Sequence, residues 1–296
     1  MRALVTGGAG FIGSHLVDAL IARGDEVTVL DDLSTGRRAF VNEAANFVEH
    51  DIRDPFEADA DLVFHLAAQA DVGTSVERPA FDASVNVVGT VNVLEAARAS
   101  GAAVVFASTG GAIYGDVDGP AGEDAALRPV SPYGTAKLAA EAYIEAWRRI
   151  HGLRSASLRF ANVYGPRQSA SLEGGVIAIF LERMAAGEGT MVYGDGEQTR
   201  DFVHVADVVR ALLTTAGRDG GTFNVGTGIE TSVNRLHELC RAIVGDAAPP
   251  RHEAPRHGDA RRSVLDVSLA ARELGWRPEV ELEDGLRTTW AAVREE

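Results

Sequence analysis

The segment TGGAGFIG, residues Thr6–Gly13, follows a short apolar run and opens a segment of helical period, Phe11–Ala22. A glycine-rich turn between a strand and a helix is the setting of a dinucleotide-binding fingerprint. Gly7 permits a tight turn, Gly10 lets the backbone approach a pyrophosphate, and Gly13 lets the helix lie close to the sheet. The spacing G-x-x-G-x-x-G is one residue wider than G-x-G-x-x-G. No Lys-Ser or Lys-Thr pair follows the glycines, which excludes a Walker-type phosphate loop.

An acidic pair, Asp31-Asp32, ends the second apolar run, eighteen residues after Gly13. A carboxylate at about this distance accepts hydrogen bonds from the adenosine ribose of a dinucleotide. Asp31 would repel a ribose 2′-phosphate, so the pattern favours NAD over NADP, although Arg37 and Arg38 lie near enough to offer the alternative. Four more cofactor contacts are predicted in the first helical turn and after the third strand: Phe11, Ile12, Asp51 and Ile52.

Short β-branched runs alternate with longer segments of helical period, which is the pattern of βαβ units around a parallel sheet. We therefore predict an α/β protein with a Rossmann-type doubly wound parallel sheet and a smaller C-terminal α/β substrate-binding lobe. The predicted strands are Ala3–Val5, Glu26–Leu30, Phe47–Val48, Leu62–Leu66, Val104–Ala107, Ser155–Phe160 and Thr222–Val225. The predicted helices are Phe11–Ala22, Val87–Arg98 and Pro132–Ile150.

The length of 296 residues suits two domains. From about Tyr164 onward, glycines and prolines interrupt shorter elements. We predict an NAD-binding domain over residues 1–163, with 201–228 returning to it, and a smaller lobe over 164–296.

Composition and charge exclude several classes of function. The 28 Lys plus Arg against 43 Asp plus Glu leave a net charge of −15, which would repel nucleic acid and anionic membranes. The single cysteine, Cys240, allows neither an intrachain disulfide nor a thiolate metal cluster, and its apolar setting predicts a buried structural thiol. No apolar run reaches the roughly 18 residues of a membrane span. We expect a cytoplasmic protein with no metal and no nucleic-acid or membrane partner.

Tyr133 and Lys137 stand four residues apart at the start of a predicted helix, with Ser131 as its N-cap and Pro132 at its first position. Their side chains therefore leave one face and can converge on one ligand. A phenol titrates near pH 10, so a base at neutral pH needs its pKa lowered by about three units, or about 4 kcal/mol. An adjacent ammonium and an oxidised nicotinamide are suitable causes.

The chain resembles the extended short-chain dehydrogenase/reductase family, and within it the NAD-dependent nucleotide-sugar epimerases. The resemblance runs almost end to end, and several separated motifs in the right order are more specific than any one of them. The motifs are Thr6–Gly13, Asp31-Asp32, His65–Gln69, Asn86, Ser108–Gly115, Tyr133-x-x-x-Lys137, Arg159–Gln168, Tyr193–Val205 and Arg256-x-Gly258-Asp259.

This resemblance implies a UDP-sugar 4-epimerase that interconverts UDP-glucose and UDP-galactose. Tyr133, as a phenolate, would take the proton of the sugar 4-hydroxyl while hydride passes from C4 to bound NAD⁺. The resulting 4-ketose would turn, and hydride would return to its opposite face. Lys137 would hold the nicotinamide ribose and lower the pKa of Tyr133. A UDP-glucuronate 4-epimerase stays open as an alternative, with Arg167 or Ser171 as donors to the extra carboxylate, as does another NAD-dependent nucleotide-sugar epimerase or reductase.

The resemblance also assigns binding residues. The cofactor contacts that it implies are Gly7, Gly10, Phe11, Ile12, Gly13, Asp31, Asp32, Asp51, Ile52, Leu66, Ala67, Ala68, Gln69, Asn86, Tyr133 and Lys137. The implied substrate contacts are Ser108, Thr109, Tyr133, Asn162, Val176, Tyr193, Arg200, Arg256 and Asp259. Among these, Asn162, Arg200 and Arg256 match diphosphate contacts, Tyr193 an aromatic that stacks on uracil, and Asp259 a ribose contact. The helices Val87–Arg98 and Pro132–Ile150 resemble those through which family members form homodimers.

One position departs from the family pattern. The third catalytic hydroxyl of the family falls on Gly110 here, while hydroxyls stand at Ser108 and Thr109, and we predict Thr109 in this role. Gly110-Gly111 lacks the Asp-Glu pair of the 4,6-dehydratases, and Ala112 is not the acidic residue of decarboxylating relatives. The residues therefore favour simple redox at C4. Two other hypotheses are a cofactor-binding protein without turnover and a reductase that releases NADP⁺.

Overall fold

The computed structural model describes residues 1–170, 175–245, 247–254 and 260–295. Thirteen strands lie within these residues: β1 Arg2–Thr6, β2 Glu26–Asp31, β3 Asn46–Glu49, β4 Leu62–His65, β5 Ala103–Thr109, β6 Ser155–Phe160, β7 Asn162–Tyr164, β8 Met191–Tyr193, β9 Thr199–His204, β10 Thr222–Val225, β11 Glu230–Ser232, β12 Arg251–Glu253 and β13 Arg262–Ser263.

The same residues contain eleven α-helices. They are α1 Phe11–Ala22, α2 Val72–Glu77, α3 Pro79–Ala83, α4 Thr90–Ser100, α5 Gly110–Ile113, α6 Pro132–His151, α7 Val176–Ala185, α8 Val205–Thr215, α9 Val233–Val244, α10 Ser268–Leu274 and α11 Leu282–Val293. A 3₁₀ turn spans Arg38–Phe40, and a π-helical segment spans Ser84–Gly89.

Seven strands form one parallel sheet in the order β3-β2-β1-β4-β5-β6-β10. Helices cover both faces, so the central strands read as continuous apolar runs, and every residue of β5 is buried. The strand order reverses between β1 and β4, and doubly wound folds bind ligands beyond the carboxyl ends of the strands at such a point. This sheet confirms the predicted α/β Rossmann-type fold.

The predicted helix Val87–Arg98 differs from the observed structure. The chain first forms the wide π-helical segment and only then the regular helix α4. Gly89 ends the π-helical segment against the buried side chain of Ile52, and a Cβ at Gly89 would lie 2.6 Å from Ile52 Cδ1. The absence of a side chain at this glycine lets the segment pack directly on the residue that follows β3.

The smaller lobe has a sheet of its own. Strand β9 pairs with β7, β11 and β13, and β8 pairs with β12. Strand β10 lies in the large sheet and α8 packs on α1, whereas β9 belongs to the small sheet. The division into domains at 1–163 and 164–296 stays a prediction. Cys240 is buried in the core of this lobe, and burial raises the pKa of its thiol to about 12. Among the described helices, none combines the length and apolar character needed to cross a membrane.

Candidate active site

The glycine turn joins β1 to α1 at the carboxyl edge of the sheet. Gly7 has a φ of +73°, which glycine adopts freely, and a Cβ there would lie 2.6 Å from the backbone nitrogen of Ala67. A Cβ on Gly13 would lie 2.1 Å from the carbonyl oxygen of Gly7, so helix and turn are in direct contact. No side chain caps α1 at Gly10 among the described residues, and a Cβ on Gly10 would meet only the Gly7 carbonyl oxygen within 4 Å, at 3.2 Å. The open face of the turn and the helix N-terminus therefore fit a dinucleotide pyrophosphate.

Asp31 stands at the end of β2 and supports this turn. Its Oδ2 accepts the backbone N–H of Ala9 at 2.9 Å, and its Oδ1 accepts the backbone N–H of Leu33 at 2.9 Å. Burial raises the pKa of Asp31, and the two backbone hydrogen bonds oppose that shift. Each carboxylate oxygen keeps a lone pair for a ribose hydroxyl. Asp32 instead accepts from the backbone N–H and the hydroxyl of Ser34, at 2.9 and 2.6 Å.

The segment Leu66–Gln69 follows β4 and lies against the glycine turn. The backbone N–H of Leu66 donates to the carbonyl oxygen of Thr6 at 3.1 Å. The Asn86 side chain accepts the backbone N–H of Gln69 at 3.0 Å and donates to the Gln69 carbonyl oxygen at 2.9 Å. Asn86 thus fixes the segment that borders the cofactor cleft, and direct contact between Asn86 and a cofactor stays a prediction.

His65, at the end of β4, connects strand β1 to helix α4. Thr90 donates its hydroxyl hydrogen to the carbonyl oxygen of Asn86 at 2.7 Å, so it accepts from Nε2 of His65 at 3.0 Å. Nδ1 of His65 then accepts from the hydroxyl of Thr6 at 2.8 Å. Burial lowers the pKa of His65 to about 3. This histidine is a neutral structural residue.

The remaining predicted cofactor residues lie around the same edge. Asp51 forms an ion pair with Arg53, whose hydrogen bond lowers the pKa of Asp51. Ile52 is buried, and Phe11 and Ile12 are half-buried in the first turn of α1. The two residues considered for a 2′-phosphate stack on aromatic rings: Arg37 lies 5.4 Å from the centroid of Phe40, and Arg38 lies 4.6 Å from that of Phe47.

Helix α6 brings the tyrosine and the lysine together. Ser131 caps it, as predicted, by accepting the backbone N–H of Gly134 at 3.1 Å. Lys137 is 3% exposed, its Nζ donates to the carbonyl oxygen of Ala107 at 2.9 Å, and it lies 6.0 Å from the centroid of the Tyr133 ring. Burial lowers the pKa of Lys137 to about 8, against the opposing effect of nearby carboxylates.

The Tyr133 side chain is half-buried, and its phenol lies beside the Thr109 hydroxyl. Burial raises its pKa to about 12, and the hydrogen bond with Thr109 lowers it in part. The structure therefore places an acid–base group, a hydroxyl partner and an ammonium within one compact cluster. Such a cluster is suited to moving a proton at a bound hydroxyl.

Lys137 is the only lysine in the chain, since the 28 basic residues are 27 arginines and one lysine. Arginine has a larger, planar guanidinium that stays charged in proteins, whereas an ammonium is compact and changes its pKa readily when buried. A chain that uses arginine everywhere else thus keeps lysine at this one position. This count was available in the sequence and marks Lys137 independently of any motif.

Packing explains the departure at Gly110. A Cβ on Gly110 would lie 2.6 Å from Cδ1 of Leu265, which is 1% exposed, so no side chain fits there without displacing Leu265. Ser108 is also buried, and its hydroxyl donates to Glu141. Of the two hydroxyl residues, Thr109 is therefore the one that interacts with Tyr133. The substrate contact predicted for Ser108 gains no support from this geometry.

Glu141 belongs to a buried ion pair that the sequence reasoning missed. Nη2 of Arg159 lies 2.7 Å from Oε2 of Glu141, and Nε of Arg159 donates to Oε1 at 3.0 Å. Nη1 of Arg159 donates to the hydroxyl of Tyr114 at 2.8 Å, which in turn donates to Asn224 at 2.8 Å. This network joins α6 to β6 and β10 directly beneath the reactive cluster.

Asn162 approaches the same cluster from β7. Its Oδ1 lies 3.5 Å from the position of a Cβ on Gly111, and Oγ1 of Thr109 lies 3.9 Å from that point. Three other predicted substrate residues lie in the smaller lobe: Val176 opens α7, Tyr193 ends β8, and Arg200 lies in β9, where Nη1 donates to the Thr199 carbonyl oxygen at 2.8 Å. The predictions on Arg256, Asp259 and Ser171 lie outside the described residues.

Arg167 lies away from this cluster. It forms an ion pair with Asp18 of α1 at 2.8 Å and lies 5.8 Å from the centroid of the Phe40 ring. Arg167 has a positive φ of 67°, so the backbone itself turns here. The expectation that Arg167 serves a sugar carboxylate stays a prediction, and the carboxylate that Arg167 meets here is that of Asp18 on α1.

Residues 3–226 match the family model described as the NAD dependent epimerase/dehydratase family. The chain belongs to this family. A "UDP-glucose 4-epimerase" of Mycolicibacterium smegmatis is 47% identical over 98% of this chain and 97% of the relative. Membership of this NAD dependent epimerase/dehydratase family confirms the resemblance inferred from the motifs.

Two solved structures of similar proteins match over nearly the whole chain. A UDP-glucose 4-epimerase from Thermotoga maritima, solved with UDP-glucose, has a TM-score of 0.96 and 46% identity, and covers 100% of this chain and 99% of its own. A UDP-glucose 4-epimerase from Thermus thermophilus, in complex with NAD, has a TM-score of 0.93 and 43% identity, with 99% of both chains covered. These members of the family share the whole fold of this chain.

Proposed function

We propose that this chain is an NAD-dependent UDP-sugar 4-epimerase that interconverts UDP-glucose and UDP-galactose. The observation that carries the proposal is the half-buried Tyr133 and the buried Lys137 beside Thr109, at the edge of the sheet where the open glycine turn lies. The relatives solved with UDP-glucose and with NAD support the substrate and the cofactor. They confirm the activity and the cofactor predicted from the sequence.

The residues present fit NAD. The turn Gly7–Gly13 would hold the pyrophosphate, Asp31 the adenosine ribose, and Lys137 the nicotinamide ribose. When bound, NAD would supply the hydride acceptor and the hydride donor for C4 of the sugar.

Tyr133 moves the proton in this reaction. As a phenolate it accepts the proton of the 4-hydroxyl while C4 becomes a ketone carbon, and it returns the same proton when C4 is reduced again. Burial raises its pKa to about 12, so ionisation at neutral pH must be stabilised by nearby positive charge. The Lys137 ammonium, 6.0 Å from the centroid of the Tyr133 ring, is the chain's own contribution to that stabilisation, because the pKa near 12 already includes the hydrogen bond with Thr109.

The same site argues against related reactions. Gly110, Gly111 and Ala112 carry no acid or base beside the reactive cluster, so elimination and decarboxylation lack the groups that they need. Arg167 pairs with Asp18, which would compete with a glucuronate carboxylate for this guanidinium. Redox at C4 with return of hydride is the chemistry that these residues support.

The purified chain with NAD is expected to convert UDP-galactose into UDP-glucose without net formation of NADH. Chromatography of the nucleotide sugars measures the conversion, and UDP-N-acetylgalactosamine and UDP-glucuronate serve as competing substrates. The proposal predicts that UDP-galactose has the highest kcat/KM of the three. If no UDP-glucose forms, or if added NADPH is consumed in step with the sugar, the proposal is wrong.

A homodimer is part of this proposal. Helices α4 and α6 pack side by side, and the surface that they and the preceding turn present includes exposed Val88, Tyr143 and Ile150. Tyr143 and Ile150 lie seven residues apart on one face of α6, and exposed apolar side chains of this kind favour association with a second copy of the chain. Light scattering is expected to give twice the mass of the chain, and Tyr143→Glu is expected to give the monomer. Ile229→Glu, at an exposed residue in the loop before β11, is the control that keeps the dimer, and a monomeric parent chain would contradict this part.

A further inference from the structure

Asp82 is a buried carboxylate with one oxygen left without a donor. It is 1% exposed, and its Oδ1 accepts from Nε2 of Gln69 at 2.8 Å and from Nδ2 of Asn86 at 2.9 Å. Its Oδ2 is buried and has no hydrogen-bond partner among the described residues. Burial raises the pKa of Asp82, and the two side-chain hydrogen bonds oppose this. Because an unsatisfied buried carboxylate oxygen is costly, this residue calls for a role beyond packing.

The carboxylate lies beside the reactive helix. Asp82 belongs to α3 and lines a cavity of about 560 Å³ together with Pro132, Thr135 and Ala136 of α6. Pro132 directly precedes Tyr133, and Thr135 and Ala136 lie between Tyr133 and Lys137 in the chain. Besides the larger effect of burial, the negative charge of Asp82 raises the pKa of Tyr133 and that of Lys137.

Four titratable side chains of the described residues adjoin Lys137. Glu141 also raises the pKa of Lys137, but it is already neutralised in the buried ion pair. His65, on β4, is neutral, and Tyr133 by itself is protonated at neutral pH. The adjoining part of β5 offers only the Phe106 ring and the carbonyl oxygen of Ala107. Asp82 forms no ion pair with a described residue, so it is the negative charge near Lys137 that no cation neutralises.

We propose that Asp82 is a positioning residue for the reaction, whose carboxylate keeps Lys137 in its ammonium form and holds the Gln69–Asn86 border of the cofactor cleft. The inference rests on the proposed roles of Tyr133 and Lys137. The positive charge of a bound nicotinamide favours ionisation of the phenol, but it also favours loss of the lysine proton. The Asp82 carboxylate, on α3 where it packs against α6, offsets the second effect through its charge, and a neutral Lys137 would no longer stabilise the phenolate.

Because the chain has a single lysine, the effect of Asp82 on the pKa of Lys137 can be measured without following the reaction. Carbon-13 in the lysine side chain gives one Cε signal, and its pH dependence measures the pKa of Lys137, with and without NAD. Asp82→Asn is expected to lower that pKa by about one unit, a tenfold loss of proton affinity, because one negative charge is removed. Asp82→Glu restores the charge and is expected to keep the parent value. Asp219→Asn, at an exposed carboxylate in the loop before β10, is the matched control without effect.

The pH profile of kcat separates an electrostatic role from a merely structural one. Since Asp82 raises the pKa of both Tyr133 and Lys137, Asp82→Asn is expected to move both limbs of the profile to lower pH. A structural defect would lower kcat at every pH and leave the limbs in place. If Asp82→Asn does not fold, Asp82→Ser is the second neutral variant.

The outcomes for the two proposals are distinct. An unchanged Lys137 pKa in a folded Asp82→Asn or Asp82→Ser chain overturns the role of Asp82, whatever the activity. A parent chain that fails to convert UDP-galactose, but in which the Lys137 pKa falls when Asp82 is neutralised, overturns the proposed function and leaves the electrostatic link between Asp82 and Lys137 intact.

Discussion

Tyr133→Phe is expected to lower kcat for conversion of UDP-galactose by about a thousandfold, which corresponds to about 4 kcal/mol of transition-state stabilisation. The substitution removes one hydroxyl from a buried site and leaves no group to take the proton of the sugar 4-hydroxyl. Thr109 remains nearby, but an aliphatic hydroxyl is a far weaker acid than a phenol and cannot replace it as a base at neutral pH. Chromatographic rates at saturating UDP-galactose measure the effect.

Binding should survive this change. Phe keeps the ring that packs beside Lys137, so we expect Tyr133→Phe to retain NAD and to keep its melting temperature close to that of the parent. Tyr164→Phe is the matched control, because its hydroxyl bonds the carbonyl oxygen of Leu282 in the smaller lobe at 3.3 Å, and it should keep its activity. Equal kcat values for Tyr133→Phe and the parent would remove Tyr133 from the chemistry.

Glu141→Gln is expected to lower the free energy of unfolding by about 3–5 kcal/mol. The change leaves Arg159, which is 5% exposed, with a buried guanidinium whose charge has no carboxylate partner, and it weakens the contact with the Ser108 hydroxyl. Unfolding in urea, followed by circular dichroism, measures the loss. Arg159→Met is expected to cost a similar amount, because it leaves the Glu141 carboxylate buried without its partner.

A double variant separates the ion pair from its members. Glu141→Met with Arg159→Met is expected to lose much less than the sum of the losses of Glu141→Met alone and Arg159→Met alone, since neither charge is then left unpaired. Glu238→Gln is the surface control, because its pair with Arg235 is exposed and its loss should barely change stability. Strict additivity of Glu141→Met and Arg159→Met would contradict the interpretation of this pair as a coupled buried unit.

The features that sequence reasoning predicted correctly depend on short stretches of chain. The glycines of Thr6–Gly13, the β-branched runs and the Ser131-Pro132 helix start each act through neighbours within a few positions, so a local pattern is enough to predict them. The Tyr133–Lys137 pair is of the same kind, because four residues of helix set its geometry. The predicted strands of the large sheet and the predicted helix α6 therefore begin and end within two residues of the observed positions.

The features that were missed depend on contacts between distant parts of the chain. Leu265 fills the space beside Gly110 across more than 150 residues, and nothing near Gly110 indicates it. The pairing of Glu141 with Arg159 needs the packing of α6 on β6, and the environment of Asp82 needs the π-helical turn that follows it. A single sequence does not distinguish a charged residue on the surface from a charged residue in the core. Burial, which makes these groups important, is a property of the assembled fold.

Because Lys137 is the single lysine of the chain, proteolysis at this residue can report local unfolding of helix α6. An endoproteinase that cuts only after lysine has one target bond in this chain, between Lys137 and Leu138, inside the second turn of α6 and behind a side chain that is 3% exposed. Cleavage requires that part of α6 to unwind first, so the rate at which two fragments form measures local unfolding at the proposed catalytic centre rather than at a frayed end. Slower digestion in the presence of a ligand then reports directly how far that ligand rigidifies the beginning of α6.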